Sequence, residues 1–526
     1  MKPKTRPWLI ENSILHYIRN NMDEDGFFIG DSLPRGEYAL INPAAGLELG
    51  GGDAFVIMND GTDDKKTMEV VYKALKDFIT VPNEKKRDNL YQLISFTQCV
   101  SYCESLADRL NEEELPEFLL ELALEWLRYS PSREAVKFAV VVTGLFGLDA
   151  DIIQDKEDLK EDLRLLARCD EFTYFVIFAF ALSNSEDELD LWEIIQTTYG
   201  WGRVHAMEAY EYTTSAEKDW LLRHGCEIDV RYPALSLLCI KEGNMMASLQ
   251  KPEIDEELYR GILHALNNYL DFLLELDSTD GSYPDFGPVN PFGLLREVLR
   301  HAQGYSDSIE SLVDVVNLAN NLQRLAEEER WETIDANACH LLIGMAEKLI
   351  YRKDWMPEIS NEIVNPDGSI NYTAIEFAQA LKMDIWELLA ALLRQDPLRT
   401  RLYSYLLDTN DEDRYQKALT FARANLELYE ENEHALEPII KSLETRPGFG
   451  EDLLIKALTS IYDWPRSCAL DVLDAWGVEY LTPELRAALL QALNLAQHTL
   501  LTMRIKSLLD NKVLDLEDVI KLMALE

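Results

Sequence analysis

Gly200-Trp201-Gly202-Arg203-Val204-His205-Ala206-Met207-Glu208, running on through Thr213-Thr214 to Leu221-Leu222-Arg223-His224-Gly225-Cys226, sets the plan of this chain: helix, turn, helix, glycine stop. From Arg203 to Tyr210 the apolar residues Val204, Met207 and Ala209 fall on one stripe at helical spacing, which leaves Arg203 and Glu208 to face outward. Thr213-Thr214 then breaks the pattern, and Thr214 with Glu217 fits a capping box for a second helix carrying Trp220 and Leu221. Gly225 stands just past the end of that helix, where a left-handed conformation is expected. A third helix follows Pro233 and stops at Gly243.

Working outward, residues 117 onward repeat this plan as short helices separated by brief polar turns, with roughly 35 to 45 residues per helical pair, the period of two-helix solenoid repeats. Ser130-Pro131 reads as a capped start with proline in the first turn, and Gly144 and Gly147 as its end. Ser183-Asn184-Ser185 reads as another start. The long loop Asp280 to Pro291 is rich in proline and carries two exposed-type aromatics, Tyr283 and Phe286, which makes it a candidate binding loop. A further boundary lies at 352–372, and beyond it Gly450 to Asn494 forms the clearest C-terminal unit. There Asp471 and Asp474 supply a polar face, Val472, Leu473, Ala475 and Trp476 an apolar one, and Thr482-Pro483 caps the next helix. Trp220, Leu221, Trp476 and Phe175 all sit on apolar stripes and are expected in the core.

Toward the N-terminus, an amphipathic helix is expected over 8–22, followed by a region that is not clearly helical. Gly26, Gly30, Pro34, Gly36, Pro43, Gly46 and Gly50-Gly51-Gly52 punctuate extended candidates at 27–29, 37–42 and 54–58, a small sheet or a long ordered loop. Helices resume at 64–79 and 86–110 before Glu112-Glu113-Glu114 and Pro116. The expected fold is therefore mainly α: an α-solenoid of HEAT-like antiparallel helix pairs with a small mixed or irregular N-terminal region. Its expected domains are 1–115, 116–355 and 356–526.

Composition bounds what such a stack can do. The 94 acidic against 50 basic residues leave a net charge of -44, enough to repel phosphate backbones and anionic lipid headgroups, so nucleic acid and membranes are poor partners and a basic protein or peptide is a good one. A hydrophobic fraction of 47% supports a folded core. The basic start Met1 to Arg6 is followed by too short an apolar run for an export signal, and Thr173 to Leu182, the longest apolar run, is about half a membrane span. That run is expected to be a fully buried core helix. Seven cysteines, Cys99, Cys103, Cys169, Cys226, Cys239, Cys339 and Cys468, have no framework spacing and fit reduced core thiols in a cytoplasm.

The helical pairs over roughly 120–350 and 400–500 resemble HEAT-type repeats. Met1-Lys2-Pro3-Lys4 to Leu15, together with Gly200 to Ala206 and Asp219 to Cys226, is similar to a group of Gram-positive bacterial proteins, some of them described as limonene hydroxylases. That resemblance implies oxidation of a monoterpene, a small apolar ligand. It brings no motif that places a catalytic residue, so the catalytic set stays unknown.

Read residue by residue, the usual oxidative chemistries find little footing. No cysteine lies in the Gly- and Arg-rich setting of a haem-thiolate loop, and a di-iron site needs paired Glu-x-x-His motifs where this chain has one, Glu431 to His434. Gly46 to Gly52 has the wrong spacing for a dinucleotide fingerprint and precedes an expected extended run. Asn21, Asp23, Asp25 and Gly26, and again Asn365, Asp367, Gly368 and Ile370, align with the start of a calcium loop, but Ser32 and Ala374 stand where its bidentate Glu belongs, and acidic turns are the expectation. Cys99 and Cys103 share a helical face without two further zinc ligands. No metal and no cofactor is therefore expected. The compact polar trio Arg203, His205 and Glu208 remains as the candidate ligand- or partner-binding group, either orienting a ligand or bridging adjacent repeats. A helical scaffold with an acidic surface is the expected function, and a monoterpene oxidoreductase is the alternative.

Overall fold

The computed structural model of the protein describes residues 6–9, 13–30, 33, 49–58, 62–183, 190–275, 290–328, 335–430, 434–495 and 499–511. These form 29 α-helices and no β-strand, so the chain is mainly α. They divide into two compact units, Met1–Arg352 and Lys353–Glu526.

In the first unit, helices pack mostly on their sequence neighbours or the next but one. Glu117–Tyr129 lies against Arg133–Phe146, which lies against Thr173–Ser183, which in turn meets Trp201–Ala209. Ser215–His224 then meets Glu256–Glu275, followed by Ile309–Glu327 and Ala336–Ile350. The expected capping box is present: Thr214 accepts from the Glu217 backbone N–H while the Glu217 carboxylate accepts from Thr214 N–H; elsewhere Asp335 accepts from Ala338 N–H at 3.0 Å. Each cap satisfies N–H groups that have no partner inside the helix. Leu221, Phe175 and the seven cysteines are buried.

Several expectations change. The run 54–58 is not extended but belongs to the helix Gly51–Met58, because Asp53 in its first turn is drawn into the interior and only one face, Gly51, Asp53 and Ala54, is buried. Around 27–29 there is a single antiparallel bridge, Met22 to Phe28, and 37–42 lies outside the described residues. The helix expected over 86–110 is two, Glu84–Ser95 and Cys103–Asn111, with a 3-10 turn at Cys99–Ser101 whose first N–H is taken by the Glu134 carboxylate at 2.6 Å. Ser132, not Ser130, caps Arg133–Phe146; Ser130 instead shares a hydrogen bond with the buried Tyr91 hydroxyl. The apolar helix Thr173–Ser183 is buried on one side only, with Tyr174, Ile177 and Phe178 half-buried and Ala181 exposed. Gly225 ends its helix in a right-handed conformation, φ −60°. Glycine is needed there for closeness: a Cβ would stand 2.6 Å from Cys239 Sγ of the next helix.

In the second unit, Asp463–Trp476 packs on Glu451–Leu458, and Pro483–Leu495 on Thr499–Leu509. Trp476 is buried with its indole N–H donated to Leu443 C=O at 2.7 Å, while Asp471 and Asp474 both accept from Arg504, at 2.7 and 2.6 Å. Thr482 caps the helix after it through Leu485 N–H at 3.1 Å.

Candidate functional site

The helix Trp201–Ala209 is placed by its glycines. Gly202 N–H donates to the Asp170 carboxylate at 2.6 Å, and a Cβ on Gly202 would stand 2.7 Å from that same oxygen, so only glycine lets the helix start seat on Asp170. Burial raises the Asp170 carboxyl to about 6, against the Gly202 hydrogen bond that stabilises its charge.

One turn further, the sequence expectation fails for Arg203. It does not face outward but is 4% exposed, its Nε donating to Ile195 C=O at 2.7 Å and a terminal nitrogen to Glu227 C=O at 2.6 Å. Its guanidinium lies 4.7 Å from the Tyr199 ring centre and 5.4 Å from that of Trp220. Helical periodicity marks which residues share a face, but a fork of five donors can be satisfied by backbone carbonyls, so a charge need not point to water. Desolvation lowers the Arg203 pKa from its ordinary value. Arg203 is a structural tie between the helix Leu191–Thr197 and the turn that follows Ser215–His224. Trp220, expected buried, is half-buried at the edge of this tie, edge-on to Trp192 at 5.1 Å.

His205 and Glu208 take the other side of the helix. His205 is half-buried, with its ring 5.4 Å from Tyr174 and 6.5 Å from Trp201, and Trp201 lies 5.6 Å from Tyr232. Tyr232 donates its hydroxyl to Glu208 Oε1 at 3.0 Å, and Tyr174 donates to Glu104. Among the described residues neither ring nitrogen of His205 has a hydrogen-bond partner. Desolvation holds the imidazole down at about 4, so it is neutral at physiological pH, with one donor and one acceptor nitrogen. Desolvation also raises the carboxyl of Glu208, partly offset by the Tyr232 hydroxyl. The result is a shallow surface niche in which half-buried Tyr174 and Tyr232 and a neutral imidazole adjoin the exposed carboxylate of Glu208.

Next to Asp170, Glu171 opens onto a buried ion network. Lys137, 1% exposed, donates from Nζ to Asp53 Oδ2 at 2.6 Å, Glu171 Oε1 at 2.7 Å and Glu134 Oε1 at 3.0 Å. Glu171 Oε2 accepts from Gly50 N–H at 3.0 Å and lies 3.6 Å from Arg133, and Gln98 donates to Asp53 at 3.1 Å. Three carboxylates therefore share one ammonium, with one guanidinium close by. Burial pushes Glu134 up to about 7 despite the attraction of Lys137, and pushes Asp53 up as well; in Glu171 burial is outweighed by Lys137 and Arg133, which hold it below its usual range. Burial works against the lysine's charge, but Asp53, Glu134 and Glu171 together keep its pKa well above normal. Reasoning from periodicity missed this network. The signal was present in Glu134-Ala135-Val136-Lys137-Phe138-Ala139-Val140-Val141-Val142, where a Glu and a Lys one turn apart interrupt an otherwise apolar run.

The remaining candidates do not join either group. Tyr283 and Phe286 lie outside the described residues, as do Gly46 and Glu431. Contrary to expectation a helix follows Gly50, with Gly51 and Gly52 as its first two residues, but Gly50 N–H already donates to the Glu171 carboxylate. Asp23 accepts from Asp25 and Phe27 N–H, and Asp367 from Ser369 N–H, so both calcium-like stretches are turns tied by their own aspartates. Cys226 and Cys239 are 3.6 Å apart, buried and reduced. Among the described residues no set of three His, Cys, Asp or Glu side chains is arranged to hold a metal ion, and no helix is long and apolar enough to cross a membrane. Comparison with protein-family models, with curated proteins and with solved structures gives no match for this chain.

Proposed function

We propose that this protein is a helical-repeat scaffold of the α-solenoid, HEAT-like class that uses its acidic surface to engage a basic protein or peptide in the cytoplasm. The observation that carries the reading is how arginines are held. Arg223 is held by Asp219, Asp255 and Glu257, Arg414 by Asp384, Arg423 by Asp452 and Arg504 by Asp471 and Asp474, so these cations are engaged by the chain's own carboxylates, in a chain whose acidic excess leaves a net charge of -44. A field of that sign attracts basic partners and repels nucleic acid and anionic lipid. The packing of short capped helices on their sequence neighbours supports the repeat reading.

The test is a pull-down from lysate at low and high salt, followed by rate measurements on the captured partner. Association is expected to be fast at low salt and to slow as salt rises, because screening acts over about 8 to 10 Å near physiological ionic strength. Retention of no basic partner at low salt, with saturable binding of a monoterpene, would overturn the proposal in favour of an oxidoreductase.

A further inference from the structure

We propose that the niche around His205 is where the partner docks one lysine side chain, its ammonium received by Glu208, His205 and the Tyr232 hydroxyl oxygen and its stem lying against the half-buried Tyr174. This rests on the proposed function and assigns it a place. The occupant follows from the chemistry of the lining. An ammonium has three N–H donors and no acceptor, and the niche offers a carboxylate whose Oε2 meets no donor among the described residues, an imidazole nitrogen without a partner, and a phenol oxygen whose proton is already given to Glu208. The aromatic faces add attraction for a cation and cover for an aliphatic stem. An anion would meet Glu208 and, behind Tyr174, Glu104. An apolar group would leave the imidazole and the carboxylate without partners, a cost that a lysine avoids. Because burial keeps His205 neutral, the ring accepts a hydrogen bond instead of repelling the incoming charge.

The experiment uses the full chain and a fluorescein-labelled decalysine peptide, followed by fluorescence anisotropy at low salt. Glu208→Gln and His205→Leu are compared with Glu211→Gln, which removes the same charge from an exposed position outside the niche. Glu208→Gln is expected to weaken binding about tenfold and His205→Leu about threefold, as losses of a charge-assisted and a neutral hydrogen bond. Glu211→Gln is expected to weaken it less than about twofold, as for an exposed charge. Equal effects of Glu208→Gln and Glu211→Gln, with tight wild-type binding, would overturn the niche and leave the acidic-surface reading standing. Absence of decalysine binding by the wild-type chain would overturn both. Zero-length coupling of the peptide amines to carboxylates, mapped by mass spectrometry, gives an independent readout: enrichment at Glu208 is expected, and an even spread over exposed carboxylates would count against the niche.

Discussion

Replacing Lys137 with Met tests the buried network most directly. The ammonium is the common partner of Asp53, Glu134 and Glu171 at 2.6, 3.0 and 2.7 Å, and its removal leaves three enclosed carboxylates facing one another with only Arg133 nearby, 3.6 Å from Glu171. Removing one partner of a buried pair costs about 3–5 kcal/mol. The full range is expected here, since no water-exposed conformer is open to side chains 10% exposed or less. In a unit of this size that corresponds to a fall in melting temperature of roughly 4 to 7 °C. The pH dependence gives the sharper signature. In the wild-type chain Glu134 titrates at about 7 when folded and near its ordinary 4.5 when unfolded, so the folded state binds the extra proton. That contribution is present in full below about 4.5 and is lost as pH rises through about 7. Without Lys137 the carboxyls are pushed higher still, so the variant should lose most stability at pH 8 and recover part of it at pH 5.5, as neutral acids replace repelling anions. The assay is denaturant unfolding at both pH values, read by an intrinsic signal of the first unit. A loss below about 1 kcal/mol, or an equal loss at both pH values, would refute the assignment of a buried charged network.

Arg203→Lys should destabilise by about 1–3 kcal/mol in chemical denaturation, because an ammonium cannot reach both carbonyls or lie flat on Tyr199; an unchanged midpoint would contradict its buried placement. Gly202→Ala should cost about 1–3 kcal/mol by driving a methyl onto Asp170, whereas Gly344→Ala, in the helix Ala336–Ile350 with nothing within 4 Å of the added carbon, should stabilise by about 0.5–1 kcal/mol; opposite signs in thermal unfolding are the check. The His205 ring resonances should titrate with a midpoint near 4, so that stability carried by the neutral ring is lost only as pH falls from the ordinary 6.5 toward that value; a midpoint above 6 by NMR would mean an open, solvated ring.

Much of this architecture is written in local sequence. Thr214 with Glu217 and Thr482 before Pro483 each specify a cap through contacts within one or two turns and fall where the sequence puts them; of the expected stripe Val204, Met207 and Ala209, the first two are buried and Ala209 is exposed. The features that failed depend on partners far along the chain. Asp53 is pulled into a helix start by Lys137, 84 residues away, and Arg203 is turned inward by the carbonyl of Glu227, 24 residues away, neither of which any periodicity registers. The niche shares that origin. Trp201, His205 and Glu208 lie visibly in one helix, but the Tyr174 ring against the imidazole and the Tyr232 hydroxyl on Glu208 come from two other segments. Most of the helices, caps such as Thr214 and Thr482, and the sign of the net charge were legible in the sequence, because those are set by nearest neighbours and by a sum over the chain. Which charges are buried, and which polar atoms are left without a partner, was decided only by tertiary packing, since desolvation depends on what every other segment brings to the same place.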